Sequence, residues 1–155
     1  MRARMFVLLS MAAVSLWGCD ASAPGSTSKT EVVVRPGSTS MTCSTLACTV
    51  TVTVGPSCAI STDGDTLTVK VPDEKEVTVT WQLRLLPGAT GTLASNGVDG
   101  KNGDWQSEFK TPGPGSTQFS WVNKNKQKKK PFGYNVFISQ GTVTCRYDPF
   151  IINDY

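Results

Sequence analysis

Alternation of apolar and polar residues recurs along this chain and limits what the chain can fold into. Residues 49–54 read TVTVTV, and the same period of two returns at residues 66–71, 76–83, 118–121 and 142–147. Successive side chains of a strand point to opposite faces of a sheet, so this pattern is typical of strands with one buried face. No window of about ten residues has the periodicity of an amphipathic helix. The pattern therefore predicts an all-β chain.

Turn-forming residues separate the alternating segments. Residues 55–57 (GPS), 63–65 (DGD) and 140–141 (QG) each fall between two of them, and the last is typical of a tight hairpin. About seven or eight short strands within residues 31–155 predict a single, disulfide-stapled β-sandwich of immunoglobulin-like architecture. The Cys…Trp…Cys spacing of true immunoglobulin domains is not cleanly present, so the prediction concerns architecture and not ancestry.

The N-terminus has the features of an export signal. Arg2 and Arg4 precede an apolar run over residues 5–17, which only Ser10 and Ser15 interrupt. A charged segment followed by a short apolar segment is the pattern of a secretory signal peptide. The run is shorter than the about 20 residues that a membrane-spanning helix needs, so we do not expect it to be a permanent anchor by itself.

The apolar run ends in Leu16-Trp17-Gly18-Cys19, and this segment resembles the lipobox of bacterial lipoproteins. Leu16, Gly18 and Cys19 match the lipobox, whereas Trp17 stands where a small residue is usual. The resemblance covers residues 1–19 only. It implies a diacylglycerol thioether on Cys19, cleavage just before this residue and acylation of its new amine. Several acyl chains make such an anchor stable, because a single chain holds a protein only marginally.

The lipoprotein interpretation divides the chain into three parts. Residues 1–18 form the lipoprotein signal peptide, and residues 19–30 comprise the lipidated Cys19 and a flexible linker rich in Ser, Thr, Pro and Gly. Residues 31–155 form the β-sandwich domain. The domain is then expected on a bacterial cell membrane, lipid-anchored and outside the cytoplasm, on the periplasmic face in a Gram-negative cell.

Two further details bear on this location. Asp20 is similar to the signal that keeps some lipoproteins of Gram-negative bacteria in the inner membrane. The alternative to a lipoprotein is simple secretion, for which residues 21–23 (ASA) offer a cleavage site.

The cysteines support export. Five cysteines are an odd number, and assigning Cys19 to lipid leaves four. In an oxidising compartment Cys43, Cys48, Cys58 and Cys145 are expected to form two disulfides. Three pairings are possible, of which we prefer Cys43–Cys48 with Cys58–Cys145. A zinc site is the alternative, but the spacing lacks paired CxxC motifs and the chain has no histidine.

Residue types for catalysis are scarce. The chain has no histidine, the commonest general base and metal ligand, and no GxSxG, P-loop or GxGxxG motif. Asp63 and Asp65 are interpreted as turn formers with solvated charges. Residues 99–104 (DGKNGD) have Lys101 and Gly103 where a calcium loop needs oxygen ligands. We therefore predict no enzyme, no cofactor and no metal site; an enzyme with carboxylate or Ser–Lys chemistry is the less favoured alternative.

A cluster of lysines is the most conspicuous charge feature. Residues 123–130 read NKNKQKKK and contain Lys124, Lys126, Lys128, Lys129 and Lys130. One interpretation is a solvated loop whose charges protect a sheet edge from pairing. The other is contact with an anionic surface, that is, lipid headgroups, a polysaccharide or an acidic partner. Nucleic acid is not expected, because the protein is exported and no motif combines basic and aromatic surface residues.

Residues 86–115 are rich in glycine and proline. We expect two or more long loops there, with a strand near residues 105–109, and such loops often carry binding sites. Trp81 and Trp121 alternate with core residues, whereas Trp105 is expected to be the most exposed of the three.

Together these features predict a membrane-anchored envelope lipoprotein whose β-sandwich acts as a binding or interaction module. Its partners would be the membrane, through the lipid on Cys19, and an envelope protein or an anionic surface. The alternative is an inhibitor of a secreted hydrolase, with residues 88–115 as the loop that blocks the active site.

Overall fold

The structure, a computed structural model, describes residues 29–72, 74–101, 105, 109–110 and 117–155. These residues form strands almost throughout, with a 3-10 turn at Pro56–Cys58. The strands are β1 (Thr30–Val34), β2 (Ser40–Cys43), β3 (Ala47–Val54), β4 (Ile60–Thr62), β5 (Thr66–Val69), β6 (Val77–Leu85), β7 (Thr92–Gly100), β8 (Phe109–Lys110), β9 (Gln118–Asn123), β10 (Pro131–Gln140), β11 (Val143–Tyr147) and β12 (Phe150–Asn153).

The alternating segments of the sequence fall in β3, β5, β6, β9 and β11, so the prediction of an all-β chain is confirmed. The predictions for residues 1–28, lipidation of Cys19 among them, lie outside the described residues. Within the described part of the chain, no helix is long and apolar enough to cross a bilayer.

The larger sheet has seven strands, and its centre is a long hairpin that β10 makes with β11 and β12. The register of this hairpin runs without a shift from Gln140↔Val143 to Pro131↔Ile152. Its turn is the predicted one, with Gly141 at a φ of 57°. β7 pairs with the other edge of β10. On the far side of the hairpin β1 runs parallel to β11, and β5 runs parallel to β12 with β2 beyond it.

The smaller sheet has five strands in the order β4-β3-β6-β9-β8. β3 and β6 are parallel, in register from Ala47↔Thr78 to Val54↔Leu85, and the other pairs are antiparallel. Along β3, Cys48 and the valines are buried, whereas the threonines are exposed or half-buried. The period of two in the sequence thus separates the inner face of this sheet from its outer face.

The two sheets pack against each other around an aromatic cluster. Trp81, Trp121 and Tyr134 are at most 1% exposed, and the ring of Trp81 lies 5.1 Å from each of the other two, edge-on. Trp81 Nε1 donates a hydrogen bond of 3.0 Å to the Tyr134 hydroxyl. Burial raises the pKa of Tyr134 above its usual range. Trp105 is more exposed than Trp81 and Trp121, as predicted, but it is half-buried and stacks on Trp121.

Both disulfides join the two sheets, with the pairing that the sequence analysis preferred. Cys43, at the end of β2, is bonded to Cys48 in β3, with 5.9 Å between their Cα atoms. Cys58, which follows β3, is bonded to Cys145 in β11, with 5.6 Å between their Cα atoms. The prediction of a disulfide-stapled pair of sheets is therefore confirmed.

The fold differs from the predicted one in two respects. Within residues 86–101 the expected long loop is replaced by β7, which follows a short turn and pairs with β10. Its sequence, TLASNGVDG, does not alternate, so the pairing partner and not the local pattern makes it a strand. Four strand pairs are parallel, whereas the sheets of immunoglobulin domains are antiparallel.

Candidate functional site

The five lysines singled out in the sequence lie in one loop, residues 124–130, which we call the lysine loop. It connects Asn123 at the end of β9 with Pro131 at the start of β10, so it crosses from the smaller to the larger sheet at one end of the sandwich. The side chains of Lys126, Lys128 and Lys129 are exposed, and those of Lys124 and Lys130 are half-buried.

Asn125 fixes the start of the lysine loop. This residue is 0% exposed, and its side-chain amide donates hydrogen bonds to the carbonyl oxygens of Val71 at 2.8 Å and Pro72 at 3.1 Å. Its backbone N–H donates to Asn123 Oδ1 at 2.9 Å. Its φ of 53° lies in the left-handed region, which asparagine tolerates better than most residues. The loop is thereby tied to the connection between β5 and β6.

The C-terminal segment fixes the rest of the loop. The Lys129 N–H donates to the Asn153 carbonyl oxygen at 2.6 Å, and the Tyr155 hydroxyl donates to the Lys126 carbonyl oxygen at 3.1 Å. Lys128 Nζ lies 5.1 Å from the centre of the Tyr155 ring, within the range of a cation–π contact. These contacts determine the path of the backbone while Lys128 and Lys129 remain exposed.

A buried pair of amide side chains lies beneath the two sets of contacts that fix the lysine loop. Asn123 Nδ2 donates a hydrogen bond of 2.7 Å to Asn153 Oδ1, and both residues are 0% exposed. Because Asn123 belongs to β9 and Asn153 to β12, the bond joins the two sheets beneath the loop. Buried polar groups that satisfy each other in this way favour one arrangement of their surroundings.

Further charged residues surround the loop. The connection between β5 and β6 contributes Lys70 and Lys75 together with Glu74 and Glu76. The C-terminal segment contributes Asp154, whose carboxylate lies 4.0 Å from Lys70 Nζ. We call the lysine loop together with residues 70–72, 74–76 and 153–155 the lysine end of the molecule. Lysines outnumber acidic residues there, so the lysine end is electropositive.

The lysine end has the chemistry of an anion-binding surface. An ammonium group is a compact, hydrated point charge with three donors, and several of them on a fixed loop complement closely spaced phosphates or carboxylates. Among the residues that the structure describes, no group of three or more Cys, Asp or Glu side chains could hold a metal ion.

Three residues of this site, Asn125, Asn153 and Tyr155, were not identified from the sequence. The signal for Asn125 was present, since asparagine between two strand patterns often takes a positive φ. Asn153 and Tyr155 had no such signal, because their partners in the loop are more than twenty residues away in the chain.

The interpretation of Asp65 as a solvated turn residue is wrong. Asp65 is 4% exposed and accepts hydrogen bonds from the backbone and hydroxyl of Thr39, at 3.0 and 2.7 Å, and from the hydroxyl of Thr62 at 2.8 Å. The Tyr147 hydroxyl donates to the same carboxylate. Asp65 therefore connects the segment after β1 with β4 and β11. Asp63, in contrast, accepts an exposed hydrogen bond from the Thr51 N–H.

The loop predicted to block a hydrolase, residues 88–115, is described only in part. Up to Lys101 the chain forms β7 and pairs within the larger sheet, so this part does not project as a long loop. Residues 102–104, 106–108 and 111–116 lie outside the described residues.

A scan against protein-family models and a search of curated proteins give no significant match to this sequence.

Proposed function

We propose that the protein is a lipid-anchored interaction module of the bacterial envelope, which binds an anionic partner through the lysine loop. The observation that carries this proposal is a loop whose backbone is fixed by Asn125, Asn153 and Tyr155 while Lys128 and Lys129 are exposed. The sequence features of residues 1–19 support export and a lipid on Cys19.

Fixation of the loop matters for affinity. Ordering the backbone of a flexible segment costs roughly 1–2 kcal/mol per residue, which an unstructured run of lysines would lose on binding. In the lysine loop the contacts of the folded domain already order the backbone. Binding therefore loses less conformational entropy, and a larger part of the electrostatic attraction contributes to the affinity. Clustered charges of one sign also speed association with an oppositely charged partner and make the affinity dependent on salt.

The position of the loop indicates what kind of partner it meets. Thr30, where β1 begins, pairs with Val143, which is level with the last residue of β10, whereas the lysine loop precedes the start of β10. At about 3.3 Å per residue, the length of β10 separates the two by roughly 30 Å. Salt screens exposed charges beyond about 8 Å, so in the orientation that places the start of β1 next to the bilayer the lysines gain little from it. The geometry favours an acidic polymer or acidic protein of the envelope.

The test is binding of the purified protein to polyglutamate, with the double variant Lys128→Gln/Lys129→Gln. We expect the variant to lower the affinity at least about tenfold at low salt, because the two exposed charges of the loop are lost. Added salt should weaken the wild type more than the variant.

The matched control is Lys29→Gln/Arg84→Gln, which removes two exposed positive charges at the opposite end of the domain. It should bind polyglutamate almost as well as the wild type. Equal losses in both variants would show a response to net charge alone, and an unchanged affinity of the loop variant would reject the proposal.

The proposal contains no catalytic step, since the lysine end contributes fixed cations. An immunoglobulin-like arrangement of the sandwich stays a proposal as well. Two packed sheets of short strands support it, whereas the parallel pairing of β3 with β6 is not a feature of that fold.

A further inference from the structure

At the end of the molecule opposite the lysine loop, the side chain of Gln140 joins three segments of the chain. Gln140 Oε1 accepts a hydrogen bond of 2.9 Å from the Cys58 N–H, and Gln140 Nε2 donates to the carbonyl oxygens of Gly55 at 3.0 Å and Thr90 at 2.8 Å. The disulfide between Cys58 and Cys145 lies beside it. The loops that follow β3, β6 and β10 therefore meet at this end, next to the start of β1.

Two leucines project from this end. Leu85 is 44% and Leu86 41% exposed, and Leu86 is held by a hydrogen bond of 2.9 Å from its N–H to the Val54 carbonyl oxygen. Residues 86–89 (LPGA) form a turn in which the Ala89 N–H donates to the Leu86 carbonyl oxygen at 2.9 Å. Proline second and a glycine with a φ of 78° third are typical of a type II turn. We call residues 85–89 the leucine tip and the end that carries it the leucine end.

The charges around the leucine tip are basic. Arg84 precedes the tip and is exposed, and so is Lys29, at the point where the described chain begins. Glu31 is the one carboxylate among the described residues of this end, and it is paired with Arg146 at 3.0 Å. Exposed leucines flanked by cationic side chains match a membrane interface, where apolar groups reach the acyl boundary and cations stay with the phosphates.

The length of chain before Thr30 indicates which membrane this is. Residues 19–30 span at most about 40 Å when fully extended, so a lipid on Cys19 keeps the start of β1 within that distance of the bilayer. The start of β1 and the leucine tip belong to the same end of the sandwich. Leu46, at 56% exposure, lies next to the start of β3 at the other end and has no second leucine beside it.

We propose that the leucine tip rests on the bilayer that holds the lipid of Cys19. The domain then stands with its strands steep to the membrane plane, and the lysine loop points away from it. This inference rests on the proposed lipid anchor, and it commits the leucine end to phospholipid and the lysine end to a different, acidic partner.

The test uses the full acylated protein in nanodiscs of phosphatidylethanolamine and phosphatidylglycerol that contain a lipid with a spin-labelled headgroup. Leucine methyl signals report the distance from the label through paramagnetic broadening. We expect the signals of Leu85 and Leu86 to broaden severalfold more than that of Leu46. Equal broadening of all three, or none at Leu85 and Leu86, would overturn the proposal.

A variant distinguishes two cases: the leucine tip contacts lipid, or the preceding segment of the chain covers the leucines. Leu85→Ser/Leu86→Ser should increase the distance of Arg84 and Lys29 from the bilayer, seen as loss of broadening at their side chains, while Leu46→Ser should change nothing. If residues 19–28 cover the leucines instead, the wild-type methyls stay sharp in nanodiscs. An intact mass without acyl chains on Cys19 would refute the proposed anchor itself, a result distinct from failure of the leucine contact.

Discussion

The two ends of the sandwich are stabilised by the same kinds of contacts, but they differ in the chemistry of their exposed side chains. Each has one disulfide between the sheets: Cys43–Cys48 at the lysine end, with a sequence separation of 5, and Cys58–Cys145 at the leucine end, with a separation of 87. Each also has an amide side chain that donates hydrogen bonds to carbonyl oxygens of neighbouring loops, Asn125 at the lysine end and Gln140 at the leucine end. The same strands thus connect both ends, while the lysine loop makes one end strongly basic and the leucine tip gives the other end exposed apolar side chains beside Arg84 and Lys29.

The largest effect should come from the long-range disulfide. Replacing Cys58 and Cys145 by serine should lower the free energy of unfolding by about 4–5 kcal/mol, because the cross-link restricts a long loop of the unfolded chain. The matched variant, Cys43→Ser/Cys48→Ser, removes a cross-link that closes only a short loop and should cost only about 2 kcal/mol. Urea unfolding of the oxidised proteins measures both. Equal losses of unfolding free energy in the two variants would contradict the expected dependence on loop length.

The next effect concerns the amide at the lysine end. Asn125→Ala should cost about 2–3 kcal/mol, because the carbonyl oxygens of Val71 and Pro72 lose their donor and alanine is strained at a positive φ. Asn125→Gly removes the same donors without the strain and should be less damaging by about 1 kcal/mol. Hydrogen exchange should show the loss first around the lysine loop, with the leucine end unchanged.

Gln140→Ala is the counterpart at the leucine end. We expect a smaller cost, about 1–2 kcal/mol, because Gln140 is only half-buried and water can replace part of its hydrogen bonding. Exchange should rise at residues 55–58 and 85–90 and not at the lysine loop. A uniform rise at both ends would contradict the independence of the two ends.

The smallest expected effect concerns Tyr134, in the aromatic cluster between the two sheets. Tyr134 keeps its proton in the folded protein above its ordinary pKa of 10.0, so the unfolded chain loses this proton first as the pH rises. Stability is therefore retained below pH 10 and falls above it, by at most about 1.4 kcal/mol per pH unit for this group. Tyr134→Phe should lack this contribution and cost about 1 kcal/mol at neutral pH, because Trp81 Nε1 loses its acceptor. Identical alkaline slopes of stability in variant and wild type would contradict the assignment.

Local patterns explain what the sequence could predict. β3 and β6 alternate between apolar and polar residues, so their existence and their buried faces follow from the period of two. The same parity places Cys48 and Cys145 on buried faces. Expected export predicted two disulfides, whereas the choice among the three pairings was a preference that the sequence alone does not determine.

Non-local contacts account for what could not be predicted. Asp65 is buried because Thr39 and Tyr147 reach it, and these partners are 26 and 82 residues away in the chain. The parallel pairing of β1 with β11 depends on the packing of the whole domain, and nothing in the sequence of β1 itself indicates it. At the candidate site the lysines were visible in the sequence, whereas the contacts that fix their loop were not.

The parallel pairing of β1 with β11 also has a mechanical consequence. A domain tethered through its N-terminus and held by a partner at its lysine end is stretched along its strands. The five residue pairs that join β1 to β11, from Thr30↔Val143 to Val34↔Tyr147, are then loaded together in shear and do not open one after another. The Cys58–Cys145 bond passes tension from β11 into the smaller sheet. This arrangement would resist pulling between the proposed lipid anchor and the proposed partner of the lysine loop.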